Sequence, residues 1–263
     1  MFWFIKSLKR GLQKLSDNDI AIKFEDVTKR YMVNNIFSQG IKGLILNIFR
    51  PSYYKNSEYE ALHNVNLEIK KGEFFGLIGR NGAGKSTTLG MIAQVLYPSK
   101  GKISVNGRVA PLLELGAGFH DDLTGRENIM VNGVLLGLTK EQIAEKVEEI
   151  IDFSELHEFI DAPMRTYSSG MYMRLGFSVA IHTEPDILLV DEVLAVGDAE
   201  FQKKCIAKMK EFKEQGITIV FVSHALGVAE ELCDRVAYFA DHTLQGVGTP
   251  KEMFEIYQGK SNE

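Results

Sequence analysis

Gly79-Arg80-Asn81-Gly82-Ala83-Gly84-Lys85-Ser86 fits the spacing GxxxxGK[ST] at every fixed position. It follows Phe74-Phe75-Gly76-Leu77-Ile78, which reads as a buried strand, and opens a run that reads as a helix from Lys85 to about Val95. Strand, glycine-rich turn and helix in that order make a phosphate loop. The glycines let successive backbone N–H groups curl around phosphate oxygens, and the helix start adds its positive dipole end. Lys85 is then placed to contact β- and γ-phosphates and the Ser86 hydroxyl to bind Mg²⁺. Gly79, Asn81, Gly82, Ala83, Gly84 and Thr87 complete the expected cradle.

A second element supplies carboxylates. Ile187-Leu188-Leu189-Val190-Asp191-Glu192 reads as an apolar strand ending in two adjacent acids. Asp191 suits Mg²⁺, usually through water, and Glu192 suits the orientation or deprotonation of an attacking water. Buried strands often end in an acid, so the pair gains its meaning from the phosphate loop upstream. Between and beyond these motifs helical and strand patterns alternate: helices at Thr139 to Phe153, Ser169 to His182 and Ala199 to Gln215, a strand at Thr218 to Val222, then a helix through Leu232. This alternation is that of an α/β protein with a mostly parallel sheet.

The chain has 263 residues, 45% hydrophobic and 25% charged, enough to bury a sizeable core. A formal net charge of -5 argues against a dedicated nucleic-acid binder, which needs a basic face to displace phosphate counterions. The two cysteines, Cys205 and Cys233, have no metal-ligand spacing and are expected to be inert free thiols. No apolar run approaches the roughly 18 to 20 residues of a membrane-spanning helix. The opening Met1-Phe2-Trp3-Phe4-Ile5-Lys6 lacks the charge order and cleavage site of a signal peptide.

Ahead of the phosphate loop, Phe4, Ile5, Leu8, Leu12 and Leu15 recur at helical spacing opposite Lys6, Lys9, Arg10 and Lys14, which predicts an amphipathic helix within residues 1–19. Such a helix can pack on its own domain or a partner, or lie at a lipid surface. Ile20 to Phe24 and Ala61 to Ile69 alternate as two strands. Between them runs an excursion over 32–60, with a second apolar stripe at Ile41, Leu44, Ile45, Ile48 and Phe49 ended by Arg50-Pro51. A loop of that length calls for a task, or else covers the strands.

A third motif, Tyr167-Ser168-Ser169-Gly170-Met171 followed by Arg174, lies between the phosphate loop and the Asp191 strand. On its own it would be a helix-capping sequence. In this order it resembles the signature of ABC ATPases, usually Leu-Ser-Gly-Gly-Gln, with Ser168 and Gly170 matching and Tyr167, Ser169 and Met171 departing. The Tyr-Ser-Ser-Gly-Met form resembles the variant of ABC exporters of bacterial surface polysaccharides and teichoic acids. So do Leu115-Gly116-Ala117-Gly118-Phe119 and Leu123-Thr124-Gly125-Arg126-Glu127-Asn128. The likeness runs from Ile20 to Gly259.

That resemblance implies a P-loop NTPase of the ABC type: a nucleotide-binding domain over 20–263, an antiparallel β subdomain, and a helical subdomain at about 115–182. It implies that Tyr31 stacks on adenine, the alternative being a core tyrosine, and that Ala195 to Asp198 form the loop crossing to a partner subunit. His224 would sense the γ-phosphate. Glu114 stands nearest the place of the family's glutamine, which contacts Mg²⁺ and the membrane subunit; no glutamine stands within Leu112 to Phe119. The implied cofactors are ATP and Mg²⁺, and the implied unit is a homodimer with ATP sandwiched so that Ser168 and Gly170 of one chain face the γ-phosphate held by Lys85 of the other. The implied partner is a multi-span membrane permease, with the chain peripheral at the cytoplasmic face of the inner (plasma) membrane and the glycan not bound directly by it. Another kind of exporter, for lipid or drug, and a non-transport ABC ATPase are the competing expectations.

Overall fold

The computed structural model describes residues 19–33, 57–112, 116–191, 197–222 and 226–261. The predicted N-terminal helix, and the apolar stripe from Ile41 to Phe49, lie outside the described residues.

Two sheets face one another. The first is antiparallel, in the order β2-β1-β4, from β1 (Ile20–Val33), β2 (Ser57–Lys70) and β4 (Lys100–Val105). The second has the order β5-β6-β7-β3-β8-β9. Its strands β3 (Phe74–Gly79), β5 (Val109–Leu112), β6 (Ile187–Asp191), β7 (Thr218–Val222) and β8 (Arg235–Ala240) are parallel. Strand β9 (Thr243–Gly248) closes the edge as an antiparallel hairpin. The expectation of a mostly parallel core sheet beside an antiparallel one is met.

The period-two alternation of the parallel strands explains the layering. Phe75, Leu77, Ile187, Leu189, Val220, Val222, Ala237 and Phe239 point into a core shared with the antiparallel sheet and helix α1 (Lys85–Ile92). Their neighbours Phe74, Ile78, Leu188, Val190, Ile219, Phe221 and Val236 point to the other face. There they meet α4 (Ser169–Ile181), α5 (Ala199–Glu214), α6 (Leu226–Leu232) and α7 (Pro250–Ser261) through Phe177, Phe201, Met209, Leu232 and Phe254. Both faces are covered, so these strands read as continuous apolar runs. Each fully buried Phe, Leu or Ile stabilises the fold by roughly 1.5–3 kcal/mol.

A third core gathers Ile129 of α2 (Gly125–Leu135), Ile143, Val147 and Ile150 of α3 (Lys140–Ser154), and Leu175 and Val179 of α4. Helix α4 therefore has one side on this cluster and the other, through Phe177 and Ile181, on the parallel sheet.

Several boundaries differ from the sequence reading. Met32, Val33 and Ser57 to Glu60 belong to paired strands, so the excursion narrows to 34–56. Helix α1 stops at Ile92, ahead of Gln94 in the left-handed region at φ 60. Strands β4, β5 and β9 and helix α2 were not foreseen. The last is announced by a capping box: the Thr124 hydroxyl accepts from the Glu127 amide, and the Glu127 carboxylate accepts from the Thr124 amide. Among the described residues no helix is long and apolar enough to cross a membrane. No cluster of three or more His, Cys, Asp or Glu that could hold a metal occurs among them either.

Candidate nucleotide-binding site

The carboxyl ends of β3, β6 and β7 open onto one cavity of about 520 Å³. Ligands of open α/β sheets bind outside the carboxyl ends of their strands. Asn81, Gly82, Gly84, Lys85, Ser86 and Thr87 form one wall, Asp191 and Val222 another, and Tyr31, Tyr59 and Ala61 a third. Strand pairing brings Asp191 beside Val222, and Val222 beside Leu77 of the strand that leads into the loop.

The loop's shape depends on two glycines. Gly79 has φ +151, and a Cβ there would collide with the Phe239 carbonyl oxygen. Gly84, at φ +106, caps α1; a Cβ on it would run into Leu62 and sit 2.8 Å from the Ala61 carbonyl oxygen. Only glycine satisfies both the backbone angle and the close approach. No side chain caps α1 and its first turn carries no acid, so its start retains its electropositive character for an anion. Lys85, a residue only 6% exposed, donates through its ammonium to the carbonyls of Gly79 at 2.7 Å and Arg80 at 3.1 Å. It therefore lies across the mouth of the loop it belongs to.

Lys85 and Ser86, Asp191, and Tyr31, from three separate stretches of the sequence, thus share one cavity. Glu114, Glu192 and His224 lie outside the described residues. Each follows within two residues of the carboxyl end of a core strand, Leu112, Asp191 and Val222 respectively. Tyr59 was missed because the second strand was expected to begin at Ala61; the pairing Tyr31↔Tyr59 adds it to the wall.

A family model described as ABC transporter matches residues 62–195. The chain belongs to the ABC transporter family. An O-antigen export system ATP-binding protein of Klebsiella pneumoniae is 50% identical over 239 residues, 90% of this chain and 97% of that protein. A teichoic acids export ATP-binding protein of Bacillus anthracis is 44% identical over 237 residues, 90% of this chain and 42% of that one. Among solved structures, the dimeric post-hydrolysis state of an ATP-binding cassette bound to ADP and Pi superposes with a TM-score of 0.70 at 23% identity. It covers 87% of this chain and 98% of its own. The chain is an ABC ATPase.

The stretch that resembles the ABC signature lies elsewhere on the chain. Ser168 caps α4, its hydroxyl accepting from the Met171 amide at 3.2 Å, and it is exposed. Capping and an exposed signature are compatible, since the hydroxyl sits at the helix start where an anion would also bind. Neither Ser168 nor Gly170 lines the chain's own cavity. Tyr167, the first departure from the usual signature, donates its hydroxyl to the Phe159 carbonyl, and burial pushes its pKa up to about 12. It is a packing residue.

Asp198 is engaged within its own chain and does not line the cavity. Its carboxylate caps α5 by accepting from Phe201 N at 2.9 Å and Glu200 N at 3.1 Å. The Phe201 amide first, with Arg174 nearby, holds that carboxyl below its ordinary range. Both cysteines are buried and unpaired; burial pushes each thiol up to about 12.

Proposed function

We propose that this ABC ATPase hydrolyses Mg²⁺–ATP to power export of a cell-surface polysaccharide, such as a lipid-linked O-antigen, capsular or teichoic-acid-like glycan, through a separate membrane permease. The observation that carries the chemistry is the meeting of Lys85, Ser86, Asp191 and Tyr31 around one cavity. The export reading is supported by near full-length identity to the O-antigen relative.

Gly79 to Thr87 hold the triphosphate, with Lys85 on the β- and γ-phosphates, and Tyr31 stacks on the base. The hydroxyl of Ser86 and the carboxylate of Asp191 are oxygen donors facing the same space, a set that suits a hard divalent cation. Mg²⁺ supplies charge neutralisation at the phosphates. Glu192 orients the attacking water, His224 senses the γ-phosphate, and Glu114 takes the place of the coupling glutamine. Ser168, Gly170 and Asp198 act on the nucleotide of a second copy, in a homodimer that closes on two ATP molecules and reopens after hydrolysis. Residues at about 115–182 make up the helical subdomain, and the chain works peripherally at the cytoplasmic face of the plasma membrane.

Purified protein is expected to bind and cleave ATP, and Lys85→Ala to lose both. Glu192→Gln is expected to accumulate an ATP-bound dimer on gel filtration. Turnover of the Glu192→Gln protein at the parental rate would remove Glu192 from the mechanism, and ATP retention by Lys85→Ala would overturn the site. Deletion of Ile36 to Arg50 is expected to leave ATP binding intact and reduce glycan export by cells.

A further inference from the structure

Tyr31 and Tyr59 stand directly opposite each other on antiparallel β1 and β2. Such partners have Cβ atoms about 4.5–5.5 Å apart on one face of the sheet. Both line the nucleotide cavity. Their distance from the phosphate loop can be read along β2. Ala61 abuts the loop at Gly84, and Tyr59 lies two residues further on, about 7 Å at the rise of a strand. That separation sets the two residues one pleat repeat beyond the phosphate loop on the same cavity wall.

Each ring has a brace of its own. Lys29 Nζ lies 5.0 Å from the Tyr31 ring centroid and donates to the Tyr97 carbonyl at 2.8 Å, so a fixed cation occupies part of the Tyr31 surface. The Tyr59 ring meets His242 edge-on, with centroids 5.3 Å apart and planes at 84°. His242 ends the two-residue turn of the β8–β9 hairpin, with Asp241 and His242 both left-handed at φ 48 and 62. Its carbonyl accepts from the His63 amide of β2 at 2.8 Å, which ties the hairpin to the strand that carries Tyr59. The buried His242 Nδ1 has no hydrogen-bond partner among the described residues, so packing sets the ring's place. Tyr59 itself remains 44% exposed, a large aromatic surface left open on a cavity wall.

We infer that Tyr59 is a second base-contacting residue, which faces the purine together with Tyr31, and that His242 is a positioning residue that holds the Tyr59 ring. This rests on the cavity being the ATP site. With part of Tyr31 covered by Lys29, Tyr59 supplies the remaining apolar surface against which a base can lie. A purine is wide enough to touch both rings, and the bare triphosphate touches neither.

The test compares binding of ATP and of inorganic tripolyphosphate, both with Mg²⁺, to purified full-length variants. Tyr59→Ala is expected to weaken ATP binding about tenfold, the scale of one lost base–aromatic contact, and to leave tripolyphosphate binding unchanged. Tyr59→Phe is expected to match the parent. His242→Asn, which tolerates the left-handed backbone, is expected to fold normally and to lose part of the ATP affinity alone. Parental ATP affinity in Tyr59→Ala would refute the assignment, and so would an equal loss of both ligands, which would place the residue at the phosphates. Lys85→Ala separates the two levels: it must lose both ligands for the cavity reading to stand, whatever Tyr59→Ala does.

Discussion

Arg174 of α4 donates to the carboxylate of Asp198, the residue that caps α5. Its other terminal nitrogen reaches Glu155 at 3.1 Å, and its guanidinium lies 4.9 Å from the Phe201 ring centroid. One side chain therefore joins α4, the end of α3 and the start of α5 without lining the cavity that holds Lys85 and Asp191. Arg174→Ala is expected to leave nucleotide affinity of the isolated chain unchanged and to lower ATP turnover severalfold. Arg174→Lys, which cannot form the same planar contacts, is expected to recover little of it. Turnover equal to the parent's would show that the junction is not used.

Gly84→Ala would place a methyl group against Leu62 and the Ala61 carbonyl at a φ that L residues rarely adopt. A strain of this kind costs about 1–3 kcal/mol. The variant is expected to melt at lower temperature than the parent and to lose ATP binding. Unchanged melting would mean that β2 can move away from the loop.

Thr124→Ala removes one half of the α2 capping box and leaves the phosphate loop alone. N-cap replacements by alanine cost roughly 0.5–2 kcal/mol. Denaturant unfolding should register that loss, with ATP affinity of the folded protein as in the parent.

His182, at the end of α4, has its pKa lowered, chiefly by burial, although the Ser178 carbonyl at 2.6 Å opposes this. Lys208 of α5 and Lys146 of α3 lower it further, and Glu149 of α3 raises it. As the pH falls below about 6.5, the unfolded chain takes up a proton at this ring that the folded chain refuses. Stability present above that pH is lost as the pH drops toward the lowered folded value. Melting temperature should decline on acidification, and less steeply in His182→Asn. Identical slopes for the two proteins would assign the acid sensitivity to other groups.

Buried thiols held at about 12 carry almost no thiolate near neutral pH. Cys205 and Cys233 should resist iodoacetamide in the native protein and react once it is unfolded. Rapid alkylation of either in the folded state would contradict the packing around α5 and β8.

The phosphate loop and the Asp191 strand were legible because each is a contiguous run whose flanks declare its setting. Strands β4 and β9 were not: Lys100 and Lys102 leave β4 little apolar pattern, and both strands sit at sheet edges, where one flank is unpaired. Tyr59 escaped for a different reason. Nothing local marks it, and only its register against Tyr31 carries it into the site. The same holds for Arg174, whose partners Glu155 and Asp198 are brought to it by helix packing.

Val33 and Ser57 are paired across β1 and β2, so the stretch 34–56 begins and ends at neighbouring points of one strand pair. A stretch with its ends fixed so close together can be lengthened, shortened or exchanged with no change in strand register, and closure entropy grows only slowly with its length. A lineage could therefore exchange the residues between these two positions while the paired strands on either side were inherited intact.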